Sequence, residues 1–85
     1  MRGLLVEDDT TTVEGLRLIL NAARITLDVT DSGREALELV RHYDYDIIVL
    51  DLMLPDIDGL EVLRGARAER NDLPVLVLSG LASLA

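Results

Sequence analysis

Apolar runs alternate with amphipathic segments along the whole chain, and this alternation predicts seven elements. Residues 4–6, 46–50 and 74–78 form nearly continuous apolar runs, as expected for strands that are covered on both faces. Residues 25–30 alternate between apolar and polar, which indicates a half-buried edge strand. Apolar residues at helical spacing predict helices near 12–23, 36–40 and 60–67. The predicted core positions of these helices are Val13, Leu16, Leu20 and Ala23, then Ala36, Leu37 and Val40, then Leu60, Leu63 and Ala66 or Arg67.

The order β-α-β-α-β-α-β predicts an α/β fold, with a parallel sheet and helices on both of its faces. Three helix starts also show a capping residue followed three positions later by Glu. Each cap side chain can accept from the amide of that Glu, three residues on, while the Glu side chain reaches back to the cap amide. The three predicted pairs are Thr11 with Glu14, Ser32 with Glu35, and Asp58 with Glu61.

Polar residues stand at the carboxyl ends of three predicted strands, where ligands bind in sheets of this kind. Glu7, Asp8 and Asp9 follow the first strand, Asp51 follows the third, and Ser79 follows the fourth. Clustered carboxylates repel one another unless a cation lies between them. Oxygen ligands in this number favour Mg²⁺, and a carboxylate beside Mg²⁺ can act as a nucleophile towards a phosphoryl group.

Several of the acidic residues also have a simpler interpretation, but Asp51 has a weaker one, because an unpaired charge at the end of a buried strand is costly. Acidic residues such as those at 7–9 are favoured ahead of a helix by the helix dipole. Asp56 and Asp58 are interpreted as turn and cap residues. The segment around them resembles part of an EF-hand loop, but Leu54 and Gly65 occupy positions where calcium ligands would be required.

Composition narrows the classes of function. The net charge of −8 disfavours binding to nucleic acid or to anionic lipid by this chain. The sequence has no Cys, which leaves a cytoplasmic setting as the default, and no apolar stretch approaches the length of a membrane span. It has no Lys, and its single His42 cannot form a paired-histidine metal site.

Three segments together carry a resemblance to a known family. They are LLVEDD at 4–9, DIIVLDLMLPDIDG at 46–59 and PVLVLSG at 74–80. Over its whole length, 1–85, the chain resembles a response-regulator receiver domain, in particular the OmpR/PhoB class and its CtrA-type cell-cycle regulators. The resemblance implies a flavodoxin-like (CheY-like) receiver fold with a parallel sheet of order 2-1-3-4-5. It further implies a histidine kinase or phosphotransfer protein as partner, and a DNA-binding transcription regulator as the parent protein.

The resemblance also implies a role for each site residue. Asp51 would accept the phosphoryl group, and Mg²⁺ would be bound by Asp8, Asp51 and the backbone carbonyl of Met53. Glu7 would contact the metal mostly through water. Ser79 would be the switch hydroxyl that bonds the phosphoryl group. Residues implied to shape the site are Gly80, Pro55 and Gly59.

The chain ends at Ala85, soon after the fourth strand, so we expect a receiver truncated before the last strand and last two helices of the family. The family's Lys that pairs with the phosphoryl group has no counterpart here. We therefore expect impaired phosphorylation, and an inert receiver-like interaction module is the alternative. A dehalogenase-type phosphatase is disfavoured because Met53 stands where it needs a second Asp. We also expect self-association through the exposed edge of the fourth strand.

Overall fold

The computed structural model describes residues 1–78 and contains four strands and three helices in the predicted order. The longest helix has 13 residues, and none of the helices in this range is long and apolar enough to cross a bilayer. The predictions for Ser79, Gly80 and the segment up to Ala85 lie outside the described residues. The elements are β1 (Arg2–Val6), α1 (Thr10–Ala22), β2 (Thr26–Thr30), α2 (Gly33–His42), β3 (Ile47–Asp51), α3 (Gly59–Glu69) and β4 (Val75–Leu78).

The four strands form one parallel sheet with the order β2-β1-β3-β4. This order confirms the predicted receiver fold for these strands. The two central strands, β1 and β3, are in register so that Gly3 pairs with Ile47 and Val6 pairs with Leu50. Parallel neighbours point their carboxyl ends to the same edge of the sheet, so the residues that follow β1 and β3 meet there.

The helices divide between the two faces of the sheet because alternate strand residues point to opposite sides. On one face α2 and α3 cover Leu4, Val6, Ile48 and Leu50, and Val62 and Ala66 of α3 are fully buried there. On the other face the buried residues are Leu5, Leu27 and Val49, and Val13, Leu16 and Leu20 of α1 pack against them. The continuous apolar runs of β1 and β3 follow from this two-sided cover.

Two of the three predicted caps are confirmed, and one is wrong. Ser32 and Asp58 cap α2 and α3. The cap of α1 is Asp9 rather than Thr11, because the Asp9 carboxylate accepts from both the amide and the hydroxyl of Thr12, at 3.0 and 2.5 Å. A carboxylate that satisfies two donors starts the helix at Thr10 and places Thr11 inside the first turn.

Two predicted core positions are also wrong. Ala23 is exposed, because it follows the last residue of α1 and its backbone has already left the helical conformation. Arg24 then adopts a left-handed conformation (φ 64°), and the Ile25 amide donates to the Leu20 carbonyl, which closes the helix end. Leu60, in the first turn of α3, is also exposed, so α3 is buried mainly through residues 62 and 66.

Candidate metal centre

Three carboxylates meet at the carboxyl edge of the two central strands. Asp51 is the last residue of β3, and Glu7 directly follows β1, whose Val6 pairs with Leu50. Glu7, Asp8 and Asp51 each offer an oxygen that lies within 4.8 Å of the others. Glu7 and Asp51 are only 6% and 9% exposed, whereas Asp8 faces solvent. The parallel register thus brings together three of the residues that the sequence placed at this edge.

Burial, together with the neighbouring carboxylates, raises the pKa of Glu7 to about 7. Burial of the carboxyl is the main cause, and the neighbouring Asp51 carboxylate adds to it through a hydrogen bond and through its charge. The amide of Asp9, which donates to Glu7 Oε1 at 3.4 Å, acts weakly in the opposite direction. A bound divalent cation would remove this repulsion. The all-oxygen donor set, with one side open to solvent, fits Mg²⁺.

The Asp51 carboxylate is held in place by the loop that follows it. The amide of Met53 donates to Asp51 Oδ1 at 3.0 Å, while the Met53 side chain is 67% exposed. The loop returns close to its own start, where the Gly59 amide donates to the Leu52 carbonyl at 3.2 Å. A Cβ at Gly59 would lie 2.4 Å from Leu52 Cα, so only glycine permits this approach. The structure thereby explains the shaping role that the resemblance gave to Gly59.

Asp56 has a contact that sequence reasoning missed. Its carboxylate accepts from Ser32 Oγ at 2.8 Å, from the Gly33 amide at 2.9 Å and from the Arg34 amide at 3.0 Å. The bonds from the Arg34 and Gly33 amides, with a smaller contribution from Ser32, hold the pKa of Asp56 far below its usual range. The sequence assigned Asp56 to a turn, but it also caps α2 from a distant loop. Asp58 caps α3 as predicted, but its carboxylate accepts from the Leu60 amide, at 2.9 Å, rather than from the expected Glu61 amide.

Thr30 was not singled out from the sequence. It is buried at the end of β2, and its carbonyl accepts from the Glu7 amide at 3.0 Å. Its hydroxyl accepts from the Ser32 amide at 3.1 Å. This last bond also explains why Glu35 does not complete the predicted reciprocal cap, since the Ser32 amide already has a partner. Thr30 therefore joins the end of β1 to the start of α2.

Glu7 and Asp8 line a cleft of about 460 Å³ between α1 and the start of α2, whereas Asp51 is not part of its lining. Half of the described residues that line it are acidic, and Arg17 of α1 is the one basic residue among them. The residues lining the cleft are Glu7, Asp8, Thr10, Val13, Glu14, Arg17, Val29, Thr30, Asp31 and Glu35. A small anionic group in this cleft would meet net negative charge, which a cation bound by Glu7 and Asp8 would reduce.

Comparison with sequence families gives a match to the response regulator receiver domain over residues 4–85. Among curated relatives, the cell cycle response regulators CtrA of Brucella ovis and Brucella anthropi are each 45% identical to this chain over 84 residues. The aligned region is 99% of this chain and 36% of each relative. The chain thus spans about a third of the length of these relatives.

Solved structures with the same fold include metal-bound proteins. The response regulator TrrA from Thermotoga maritima, solved in complex with Mg²⁺ and beryllium fluoride, is 32% identical, with a TM-score of 0.86. The match covers 92% of this chain and 68% of that one. A sensor histidine kinase receiver domain from Pseudomonas aeruginosa has a magnesium ion in its active-site cleft. It is 26% identical, with a TM-score of 0.89 and coverage of 95% and 68%.

Proposed function

Because this chain belongs to the response regulator receiver domain family, we propose that Asp51 accepts a phosphoryl group from a histidine kinase or a phosphotransfer protein. The position of Asp51 is the observation that carries this proposal. Its carboxylate is buried at the end of a central strand, has one oxygen held by the Met53 amide, and lies beside Glu7 and Asp8. A fixed nucleophile next to a cation site is the arrangement that phosphoryl transfer requires.

In the proposed reaction, an oxygen of Asp51 forms a bond to the phosphorus of a phosphohistidine. The phosphorus–nitrogen bond breaks, and its electron pair remains on the imidazole nitrogen of the donor. The products are an acyl phosphate on Asp51 and an unmodified histidine. The Met53 amide orients the Asp51 carboxylate throughout, because it donates to the oxygen at 3.0 Å before the reaction begins.

We propose that Asp8, Asp51 and the Met53 carbonyl hold Mg²⁺ directly and that Glu7 contacts it mostly through water. When bound, Mg²⁺ neutralises charge on both the carboxylate and the phosphoryl oxygens. Three converging carboxylates, one of them with a raised pKa, support this assignment. The resemblance also supports Ser79, which lies outside the described residues, as the hydroxyl that bonds the phosphoryl group.

Intact-mass measurement tests the proposal directly. We expect the chain to gain the mass of one phosphoryl group after incubation with acetyl phosphate and Mg²⁺, and to gain nothing when EDTA replaces Mg²⁺. Asp51→Asn should remove the modification, whereas Asp58→Asn, which changes the same charge and preserves a capping side chain, should retain it. A modification that persists in Asp51→Asn would contradict the proposal, as would none in the wild-type chain at any incubation time.

We further propose that this modification is slow in the 85-residue chain. The sequence has no Lys to pair with the phosphoryl oxygens, and loss of one such preorganised charge typically lowers a rate by about 10²–10³. The comparison is the rate for a full-length receiver with acetyl phosphate under identical conditions. Equal rates would show that a lysine is not needed, and an unreactive chain would favour the inert interaction module.

For the parent protein, we propose a cytoplasmic transcription regulator that contacts DNA through an effector domain rather than through this chain. The net charge of −8 on these 85 residues supports the proposal that this chain does not itself contact DNA, because such a surface repels a phosphate backbone. A gel-shift measurement with the chain alone should show no DNA binding at physiological salt. Binding that weakens steeply with added salt would contradict this assignment.

Self-association through β4 is a further proposal. β4 is an edge strand of the described sheet, and its Leu76 and Val77 are 55% and 39% exposed. An exposed apolar edge is a template for pairing with another chain. We expect sedimentation to show dimers that Leu76→Lys converts to monomers. A wild-type chain that remains monomeric at high concentration would contradict the proposal.

A further inference from the structure

We propose that Asp56 is a positioning residue for the metal centre, acting through the loop between β3 and α3. In this interpretation its carboxylate fixes the position of Asp51 and of the Met53 carbonyl relative to Glu7 and Asp8. The inference rests on the proposed function, because it takes the three carboxylates and the Met53 carbonyl to be the Mg²⁺ site. It assigns Asp56 no direct contact with the metal.

The other hydrogen bonds of the loop, residues 52–58, stay within the loop or the residues next to it. Met53 donates to Asp51, Gly59 donates to the Leu52 carbonyl, and Asp58 caps the helix that follows, so all of these bonds are local. Within residues 1–78, the hydrogen bonds that join residues 52–58 to α2 and its cap are the three accepted by Asp56. Asp56 is therefore the polar connection between the loop and the second helix.

These three bonds constrain orientation as well as distance. Oδ1 of Asp56 accepts from the Gly33 amide, and Oδ2 accepts from both the Arg34 amide and Ser32 Oγ. The two amides belong to the first turn of α2, where backbone donors lack partners within the helix and the dipole favours an anion. A carboxylate held through both oxygens cannot rotate without breaking a bond, so the loop that carries it is held in one orientation.

Packing beside Asp56 supports the same contact. Gly33 is buried against Ile57, the residue after Asp56, and a Cβ at Gly33 would lie 2.6 Å from Ile57 Cγ1. The missing side chain lets the loop approach the start of α2 closely enough for Asp56 to reach its amides. Polar and apolar contacts thus fix the same part of the loop.

The connection continues from α2 to the other half of the metal centre. The Ser32 amide donates to Thr30 Oγ1, and the Thr30 carbonyl accepts from the Glu7 amide. A chain of hydrogen bonds therefore runs from Glu7 through Thr30, Ser32 and Asp56 to the loop that follows Asp51. Both ends of this series of hydrogen bonds are segments that we propose to bind the metal. Breaking the series at Asp56 should therefore loosen the set of metal ligands without removing any ligand.

Calorimetric titration with Mg²⁺ on the full 85-residue chain tests the inference. Asp56→Ala should weaken Mg²⁺ binding about tenfold, the size typical when a group that orients metal ligands is lost. The matched control is Asp58→Ala, which removes the same charge and a cap from the same loop but no link to α2. We expect it to bind Mg²⁺ within about twofold of the wild type. Circular dichroism at the titration temperature establishes that each variant is folded.

If Asp56→Ala does not fold, Asp56→Asn provides a second variant whose Mg²⁺ affinity can be compared with that of the Asp58 variant. Its amide oxygen can still accept from Ser32 and Arg34, but its NH₂ group would face the Gly33 amide, so we expect an intermediate loss of affinity. Equal affinities for the Asp56 and Asp58 variants would overturn the inference. A wild-type chain that bound no Mg²⁺ would overturn it too, because there would be no ligand set to position. If the wild type bound Mg²⁺ but Asp51 remained unmodified by acetyl phosphate, the proposed function would fail while the affinity comparison still decided the role of Asp56.

Discussion

Replacing Glu7 by Gln should stabilise the metal-free protein at pH 7.5 and remove most of the pH dependence of its stability between pH 5 and 7.5. The reason is the raised pKa of Glu7, which is about 7 in the folded protein against an ordinary value of 4.5. Between these two values the folded state retains a proton that the unfolded state has lost. The contribution of Glu7 to stability is therefore complete below about pH 4.5, falls as the pH rises towards 7, and is lost above the folded-state pKa.

The size of the effect follows from the two pKa values. Each pKa unit corresponds to about 1.4 kcal/mol, so the wild-type free energy of unfolding should fall by about 2 kcal/mol from pH 5 to pH 7.5. This is a large part of the 5–15 kcal/mol typical of a domain. The lowered pKa values of Asp9, Asp28 and Asp56 act in the opposite direction. Their contribution is lost only as the pH falls through those lowered values, outside this window.

Urea unfolding followed by far-ultraviolet circular dichroism provides the measurement, since the chain has no Trp. With EDTA present, the wild-type midpoint should fall between pH 5 and 7.5, and that of Glu7→Gln should change little. Glu61→Gln, which changes the same charge at an exposed position on α3, should keep the wild-type slope. Excess Mg²⁺ at pH 7.5 should restore wild-type stability by binding the folded state, and should help Glu7→Gln less.

Two results would refute this reasoning. The first is a wild-type protein in EDTA that is as stable at pH 7.5 as at pH 5. The second is a Glu7→Gln variant with the wild-type pH slope, which would place the titrating group elsewhere.

Three further predictions concern metal binding, close packing and backbone strain. Asp8→Ala should abolish Mg²⁺ binding in calorimetry, because it removes the solvent-facing carboxylate of the proposed ligand set. Gly59→Ala should lower the free energy of unfolding by about 3 kcal/mol or more, because its Cβ would meet the Leu52 backbone, whereas Gly15→Ala, with no atom within 4 Å, should raise it by about 0.5–1 kcal/mol. Arg24→Gly should raise it by about 1 kcal/mol in the same urea assay, because φ at this position is 64°.

The order of strands and helices along the chain was predicted well, because hydrophobic periodicity depends on local spacing. The continuous apolar run before Asp51 could only be a strand with two covered faces. The first residue of each helix was harder to predict, because several residues within one turn can act as the capping residue. Thr11 matched the pattern, yet Asp9 forms the stronger cap because a carboxylate satisfies two donors of Thr12.

The carboxylate cluster was predictable for a different reason. Once β1 and β3 are parallel neighbours, Glu7 and Asp51 lie at the same edge of the sheet, independently of the conformation of the loops. The contact of Asp56 with α2 follows from no such rule. Asp56 and Gly33 are 23 positions apart in the sequence. Their contact requires a loop conformation in which Ile57 packs against Gly33, where no side chain is present to block it.

The pairing of β1 with β3 has a consequence for folding kinetics. Partners such as Gly3 and Ile47 are far apart in sequence, and every neighbouring strand pair in the described sheet is parallel and thus joined by a crossover rather than a hairpin. Such non-local pairings form slowly. The same step that joins β1 to β3 also brings Glu7 against Asp51, so carboxylate repulsion arises together with the central pairing. If that pairing is complete at the folding barrier, raising the pH in EDTA slows folding and leaves the unfolding rate unchanged. If the β1–β3 pairing forms after the barrier, raising the pH increases the unfolding rate instead. The pH dependence caused by Glu7 would then show whether the two central strands pair before or after the folding transition state.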